Sequence, residues 1–264
     1  MTLVVTADDL GLSKAVTKGV IESHRHGIVR SASLLVTFAA SPEAAAEARL
    51  ERDLEVGLHF DLVGGDPTSD PATIPSLVDR EGAFYPLTEF TKRLFTGRIR
   101  ASEIATELRA QVECARSWGI PAVAWDSHRH VHLMPPVARV FGALARELGA
   151  RWIRRGRAPG TTLAPKAAAL SAASLLSELA LRGILGNAWY IDLTAARPRL
   201  DAAAVALLAA HGGLGEISGH PGYIDAELRQ ADSLVEEREY DLELLTDPLL
   251  LEALGREAVR WRVR

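Results

Sequence analysis

The sequence holds a single cysteine, Cys114, among 264 residues. No disulfide can close within the chain, and a cysteine-built zinc module is excluded. Excess positive charge is lacking too. Lys and Arg number 30 against 34 Asp and Glu, a formal net charge of −4, and this balance argues against a dedicated nucleic-acid binder. Long apolar runs are also missing. The longest candidate, Ala167 to Leu185, is interrupted by Ser171, Ser174, Ser177, Glu178 and Arg182, so it falls short of the roughly 20 apolar residues that a bilayer span needs. Met1 to Asp9 has neither the basic start nor the apolar stretch of a secretory signal. These features lead us to expect a cytoplasmic protein. Apolar residues, by contrast, make up 48% of the chain, enough for a sizeable core and against general disorder.

Strand-like and helix-like patterns alternate along the whole length. Leu3 to Thr6 reads as a strand that stops at Asp8-Asp9, and Ser13 is placed to cap a helix ending at Gly27. Ser31 to Phe38 and Leu54 to Phe60 read as strands, and Ser41-Pro42-Glu43 reads as a helix start. Asp61 to Arg100 is rich in turn formers and reads as a long irregular connection. Helices are expected over Ser102 to Trp118, Pro136 to Leu148, Lys166 to Leu185, Ala202 to His211 and Tyr240 to Leu254. Strands are expected at Ala122 to Trp125, Trp152-Ile153, Glu216 to Ser218 and Val259 to Val263. This alternation predicts a single α/β domain over residues 1–264, with a mainly parallel sheet and crossover helices.

The chemistry-bearing residues follow that plan. Asp8-Asp9, His59, His128 and His220 each lie at or just past the C-terminal end of a predicted strand, the edge that carries active sites in α/β folds. Asp and His suit a borderline divalent cation, and one carboxylate with two imidazoles leaves coordination positions open for catalysis. A second carboxylate could take the proton of a water activated by the metal, and a further histidine could protonate a leaving group. Asp8, Asp9, His59, His128 and His220 thus form one complete set for metal-assisted hydrolysis. If strand geometry continues past Asp126, then Asp126, His128, His130 and His132 share a face. Glu216, Ser218 and His220 share one likewise. Asp126 is then placed to steady a metal-bound imidazole.

At these residues the sequence resembles the YdjC-like carbohydrate deacetylases. Thr6-Ala7-Asp8-Asp9-Leu10-Gly11-Leu12-Ser13 is similar to their TADDFGLS-like opening, with Leu10 in place of Phe. Val56-Gly57-Leu58-His59-Phe60 is similar to their GLH motif, and Asp126-Ser127-His128-Arg129-His130-Val131-His132 to DSHxHVH. Gly219-His220-Pro221-Gly222 and Tyr240 to Leu245 match in order and spacing. The similarity runs from residue 3 to about residue 255 and is weakest between Arg154 and Arg199. The resemblance implies a deformed (β/α) TIM-like barrel related to the NodB-type deacetylases. It implies removal of an N-acetyl group from an amino sugar, in a family that includes chitooligosaccharide deacetylases and a hopanoid-associated branch. Carried over, Asp9, His59 and His128 would be metal ligands, Asp8 the base and His220 the acid. Asp126, His130 and Glu216 would serve substrate or ligand support. The implied cofactor is one divalent ion, zinc or magnesium first, with nickel and cobalt as alternatives. The implied partner is an acetylated amino sugar, free or lipid-linked, and a homodimer is the default assembly. A hydrolase of another amide or ester, or a sugar-binding protein with a retained metal site, would use the same residues.

The remaining signals have plainer readings. His24 and His26 suit the C-terminal end of a helix dipole. Cys114 reads as core. Arg151, Arg154, Arg155 and Arg157 read as a solvated basic run, and Ala167 to Leu185 as a buried barrel helix, with a lipid-facing helix as the alternative.

Overall fold

The structure is a computed structural model. It describes residues 3–159, 165–196, 200–209, 211–254, 259–260 and 262–263. The chain opens with β1 (Leu3–Leu10), α1 (Lys14–His26), β2 (Ser31–Leu34), α2 (Ser41–Ala48) and β3 (Glu55–Phe60). A long connection with α3 (Leu87–Phe95) leads to α4 (Ala101–Ser117), β4 (Ala124–Ser127), α5 (Pro135–Leu148) and β5 (Trp152–Ile153). Then come α6 (Pro165–Leu181), β6 (Trp189–Asp192), α7 (Ala202–Ala209) and β7 (Gly215–Gly219). The chain continues through α8 (Ala226–Ala231), α9 (Glu237–Leu245), α10 (Pro248–Leu254) and β8 (Val259–Arg260).

Among the described residues the strands form one sheet in the order β5-β4-β3-β2-β1-β7-β6, with β8 on β1, and every pairing within it is parallel. β7 takes one side of β1 from Leu3 to Ala7. β2 takes the other side from Thr6 onward, so β8, paired at Leu3 and Val4, lies in line beneath β2. The sheet must curl. Five strand spacings separate β5 from β7, about 24 Å if flat, yet Arg154 beside β5 bonds Glu216 of β7 at 3.0 Å. β5 and β6 at the two ends share no ladder. The segment before β6 instead meets β5 through Ile153 N–H on Leu185 O and Arg155 N–H on Asn187 Oδ1. The result is a curled parallel sheet, the parallel arrangement that the alternation predicts and the deformed barrel that the resemblance implies.

Period-two alternation sorts the strand residues between two environments. Phe60 and Trp125 point outward and meet Phe141 of α5 edge to face, with ring centroids 4.8 to 5.2 Å apart. Each of these buried rings contributes about 1.5–3 kcal/mol. Their neighbours His59 and Asp126 point inward, opposite one another in register. The helices form as expected where caps are strong. Ser13 Oγ accepts the Val16 N–H at 3.2 Å, and Gly149 closes α5 in the left-handed region at φ 77°.

Several elements differ from expectation. β1 runs on to Leu10, and β2 stops at Leu34. Ser41 is the first residue of α2, not its cap; its hydroxyl receives the Phe38 N–H. The region read as one helix over Tyr240 to Leu254 is two, broken before Pro248, whose ring cannot continue the helix. α3, β6 and α8, all short, lie outside the expected elements. Residues 210 and 261, within the helix expected over Ala202 to His211 and the strand expected over Val259 to Val263, lie outside the described residues. α6 is not fully buried, since Leu175, Leu176 and Leu179 are exposed. Among the described residues no helix is long and apolar enough to cross a membrane.

The long connection after β3 is tied down by α4. Glu107 accepts the Thr68 and Ser69 N–H groups at 3.0 and 2.9 Å and the Gln111 amide at 2.7 Å. Glu103 accepts Ser76 N–H, and Gln111 clasps the backbone of Asp61. Glu107→Ala strands these buried donors and is expected to cost about 2–3 kcal/mol in denaturant unfolding, with faster proteolytic nicking between residues 62 and 86.

Candidate metal centre and active site

Asp8 and Asp9 are consecutive, so an unbroken strand would send them to opposite faces. The β1–β2 register breaks between Ala7 and Leu10, and Asp9 takes φ 62°. This bulge turns both carboxylates toward the barrel mouth, a strained geometry that Asp tolerates better than most residues. Asp9 Oδ1 lies 3.3 Å from His59 Nε2 and 3.0 Å from His128 Nδ1. Ligands about 2.0–2.1 Å from one cation stand about 2.8–3.4 Å apart in octahedral or tetrahedral geometry, so both Asp9–imidazole separations suit a single ion, and all three donor atoms lie within 4.8 Å of one another.

Two of the three candidate ligands, Asp9 and His59, are held from behind. Asp9 Oδ2 accepts from Arg238 Nη2 at 2.8 Å, and that nitrogen also reaches Asp232 Oδ2 at 3.0 Å. Burial opposes the charge on Asp9, but His128 and Arg238 overcome it and hold the carboxyl well below its usual range. His59 Nδ1 meets Asp126 Oδ1 at 2.6 Å, which leaves Nε2 facing Asp9. Burial works against an imidazolium here too, yet Asp126 and Asp9 push His59 up to about 10. The proton they stabilise sits where a cation would replace it.

A second grouping of Asp8, His59 and Asp126 also comes close enough for a metal, but Arg154 already fills it. Its guanidinium pairs with both Asp8 oxygens at 2.7 and 2.8 Å, with Asp126 Oδ2 at 3.0 Å and, through Nε, with Glu216 Oε1 at 3.0 Å. Thr6 adds a bond to Glu216 at 2.9 Å. Arg154 is fully buried, and its carboxylate partners outweigh the burial cost and raise its pKa well above normal. The reading of this arginine as part of a solvated run is therefore wrong; Arg155, too, is buried. Only the placement of these residues at the end of a buried strand could have signalled it.

His220 follows β7 and faces the cleft from the other side. Its Nδ1 lies 2.7 Å from Thr194 Oγ1, and the Thr194 hydroxyl donates to Asp241. With Asp241 ionised, a hydroxyl that donates there can only accept from His220, which puts the proton on Nδ1. The His220 backbone N–H also bonds Asp241 Oδ2 at 2.8 Å. Burial raises the Asp241 pKa, against the pull of His220. Neither Thr194 nor Asp241 was singled out from the sequence, although Asp241 lies within the Tyr240 to Leu245 motif.

The Asp126-to-His132 alternation does not continue as a strand. β4 ends at Ser127, and Arg129 and His130 turn at φ 54° and 55°. The three histidines therefore part company. His128 meets Asp9, and His130 stands by Tyr190. His132 is buried between Ser127 Oγ and the Arg154 carbonyl. Glu216 is buried beneath Arg154 and does not line the cleft. The cleft, about 420 Å³, is lined by Asp8, Asp9, His59, His128, His130 and His220, with Leu87, Arg129, Asp192 and Glu237 among the residues around them.

The match to a family model, "YdjC-like protein", covers residues 2–256. The chain belongs to the YdjC-like family. A Geobacillus stearothermophilus relative named carbohydrate deacetylase is 32% identical, over 97% of this chain and 94% of its own. A human relative of the same name is 31% identical, over 98% and 89%. A Serratia marcescens relative named chitooligosaccharide deacetylase is 36% identical over 56% of each chain. A crystal structure from Enterococcus faecalis, of a protein named for a proposed cellobiose-phosphate cleavage, has a TM-score of 0.83. It is 24% identical and covers 98% of this chain and 95% of its own, and it shares this fold.

Burial in an apolar setting lowers His132 to about 3, against about 6.5 unfolded. The unfolded chain then binds one more proton between those values, so stability falls as pH drops through that window. From pH 7 to pH 5, His132→Gln should lose about 2 kcal/mol less than the native protein in parallel denaturant titrations.

Proposed function

We propose that this protein is a metal-dependent hydrolase that removes the N-acetyl group of an acetylated amino sugar and releases acetate. The observation that carries this reading is the division of labour between the two neighbouring carboxylates. Asp9 joins His59 and His128 in a three-donor set. Asp8 is turned away from that set by its bidentate pairing with Arg154, yet still lines the same cleft. A site for binding alone has no need of the second carboxylate. The names carried by full-length relatives agree with this reaction.

Asp9, His59 and His128 would hold the ion, which when bound supplies a Lewis acid for an acyl oxygen and makes a water more acidic. The set is open on the cleft side, as a catalytic centre requires. Zinc suits one carboxylate and two imidazoles; magnesium, nickel and cobalt are the alternatives for reconstitution. Asp8, its plane set by Arg154, takes the proton of the attacking water. His220 keeps its Nδ1 proton on Thr194, so Nε2 is the atom that passes a proton to the departing amine nitrogen. Leu87 and Leu234 offer apolar contact to a sugar ring, while Arg129, Asp192 and Glu237 offer partners for its hydroxyls.

The test is acetate release from chito-oligosaccharides and from a glycolipid bearing N-acetylglucosamine, using metal-reconstituted protein. Asp8→Asn should lower kcat by about 10²–10⁴ with metal binding retained, and His220→Ala by a similar factor. His128→Ala should lose both metal and turnover. Full turnover in Asp8→Asn, or no acetate from any panel member with metal bound, would overturn the reading.

A further inference from the structure

Arg262 enters the barrel from below, just past β8, and its side chain is completely buried. Nε donates to Glu55 Oε1 at 3.0 Å, and Nη2 donates to the Ala32 carbonyl at 2.9 Å. Nη1 serves both Ser33 Oγ at 3.1 Å and Asp126 Oδ2 at 3.0 Å. The Val263 N–H meets the other Glu55 oxygen at 2.9 Å. Room for this guanidinium comes from Gly57, where an added Cβ would stand 2.3 Å from Nη2. The glycine of the Gly57-Leu58-His59 motif thus leaves the space that the arginine fills.

Asp126 turns this anchor toward the site. Oδ1 holds His59 Nδ1 at 2.6 Å, while Oδ2 receives Ser33, Arg154 and Arg262. Arg154 also serves Asp8 and Glu216 and cannot orient Asp126 alone. Among the described carboxylates Arg262 has only Glu55 besides, and its fork is fixed by the β2 backbone. We propose that Arg262 is a positioning residue: through Asp126 it sets the tautomer and ring plane of His59 and so raises the site's affinity for a divalent ion. This rests on the reading of His59 as a metal ligand. Supports of this kind behind a ligating histidine are worth about 10–100-fold in metal affinity.

Two readouts test it on the full chain. The first is the zinc dissociation constant, by competition with a chelating dye. The second is the His59 Nδ1 proton resonance in metal-free protein, identified by its loss in Asp126→Asn. Arg262→Gln should weaken zinc about 10–100-fold and shift or broaden that resonance. Arg262→Lys keeps the charge but not the fork, so it should fold like the native protein and recover only part of the affinity. Glu55→Gln, which frees the far side of Arg262 without touching Asp126, controls for simple loss of stability and should change zinc affinity less than Arg262→Gln. An unchanged resonance, with zinc affinity within about twofold of native in both Arg262 variants, would overturn the proposal. If the native protein itself binds no zinc, nickel, cobalt or magnesium, the metal reading fails. The resonance in the Arg262 variants then still decides whether Arg262 orients His59.

Discussion

The site is organised around one buried cation, the Arg154 guanidinium. It lies among Asp8, Asp126 and Glu216, none of which is exposed. Burying a carboxylate without a partner costs several kcal/mol, and three close together would repel as well. Arg154 makes the cluster tolerable and gives each carboxylate a fixed direction. Asp8 is aimed at the cleft, Asp126 at His59, and Glu216 at Thr6 below. The apolar side chains lie mainly outside, where strands meet helices. The barrel interior is therefore an ionic stack, with Arg262 and Glu55 as its floor and the donor set of Asp9, His59 and His128 at its mouth.

Strain concentrates at the same mouth. Among the described residues, four other than glycine have positive φ: Asp9, Ala122, Arg129 and His130. Three of them lie at the β1 bulge and on the loop after β4, which together bring Asp9 and His128 into contact. The surroundings hold this geometry in place. Arg238 binds Asp9 and Asp232, and Asp232 pairs with Arg129 across the cleft. One ion-paired chain thus links the loop after β4 to the wall formed by the segment between α8 and α9.

Much of the site was legible in the sequence because its residues sit at strand ends. Asp8, Asp9, His59, His128 and His220 were placed by that position alone, and parallel pairing brings them to one edge. Asp126 was also legible, since it precedes His128 at strand spacing. Arg154 was misread because its local neighbours are Arg151, Arg155 and Arg157, and a run of like charges ordinarily faces water. Thr194, Arg238, Asp241 and Arg262 carry no local mark of their roles. Their partners lie far away in sequence, and nothing in hydrophobic periodicity reports on them. The shared face expected for Asp126, His128, His130 and His132 failed because left-handed turns at Arg129 and His130 end the strand, which alternation cannot reveal.

By itself the sequence determined the class of fold and the edge on which chemistry is gathered. Both follow from local rules: apolar periodicity, capping, and the end of each apolar strand at a polar residue. The resemblance already named Asp9 rather than Asp8 as the partner of the imidazoles; only the tertiary structure supplied the physical reason that one carboxylate joins them and the other is held apart. That choice depends on a bulge at Asp9 and on guanidinium groups from distant segments. Buried charges recover their desolvation cost only when they meet at hydrogen-bond distance, and that distance is set by the curl of the whole sheet.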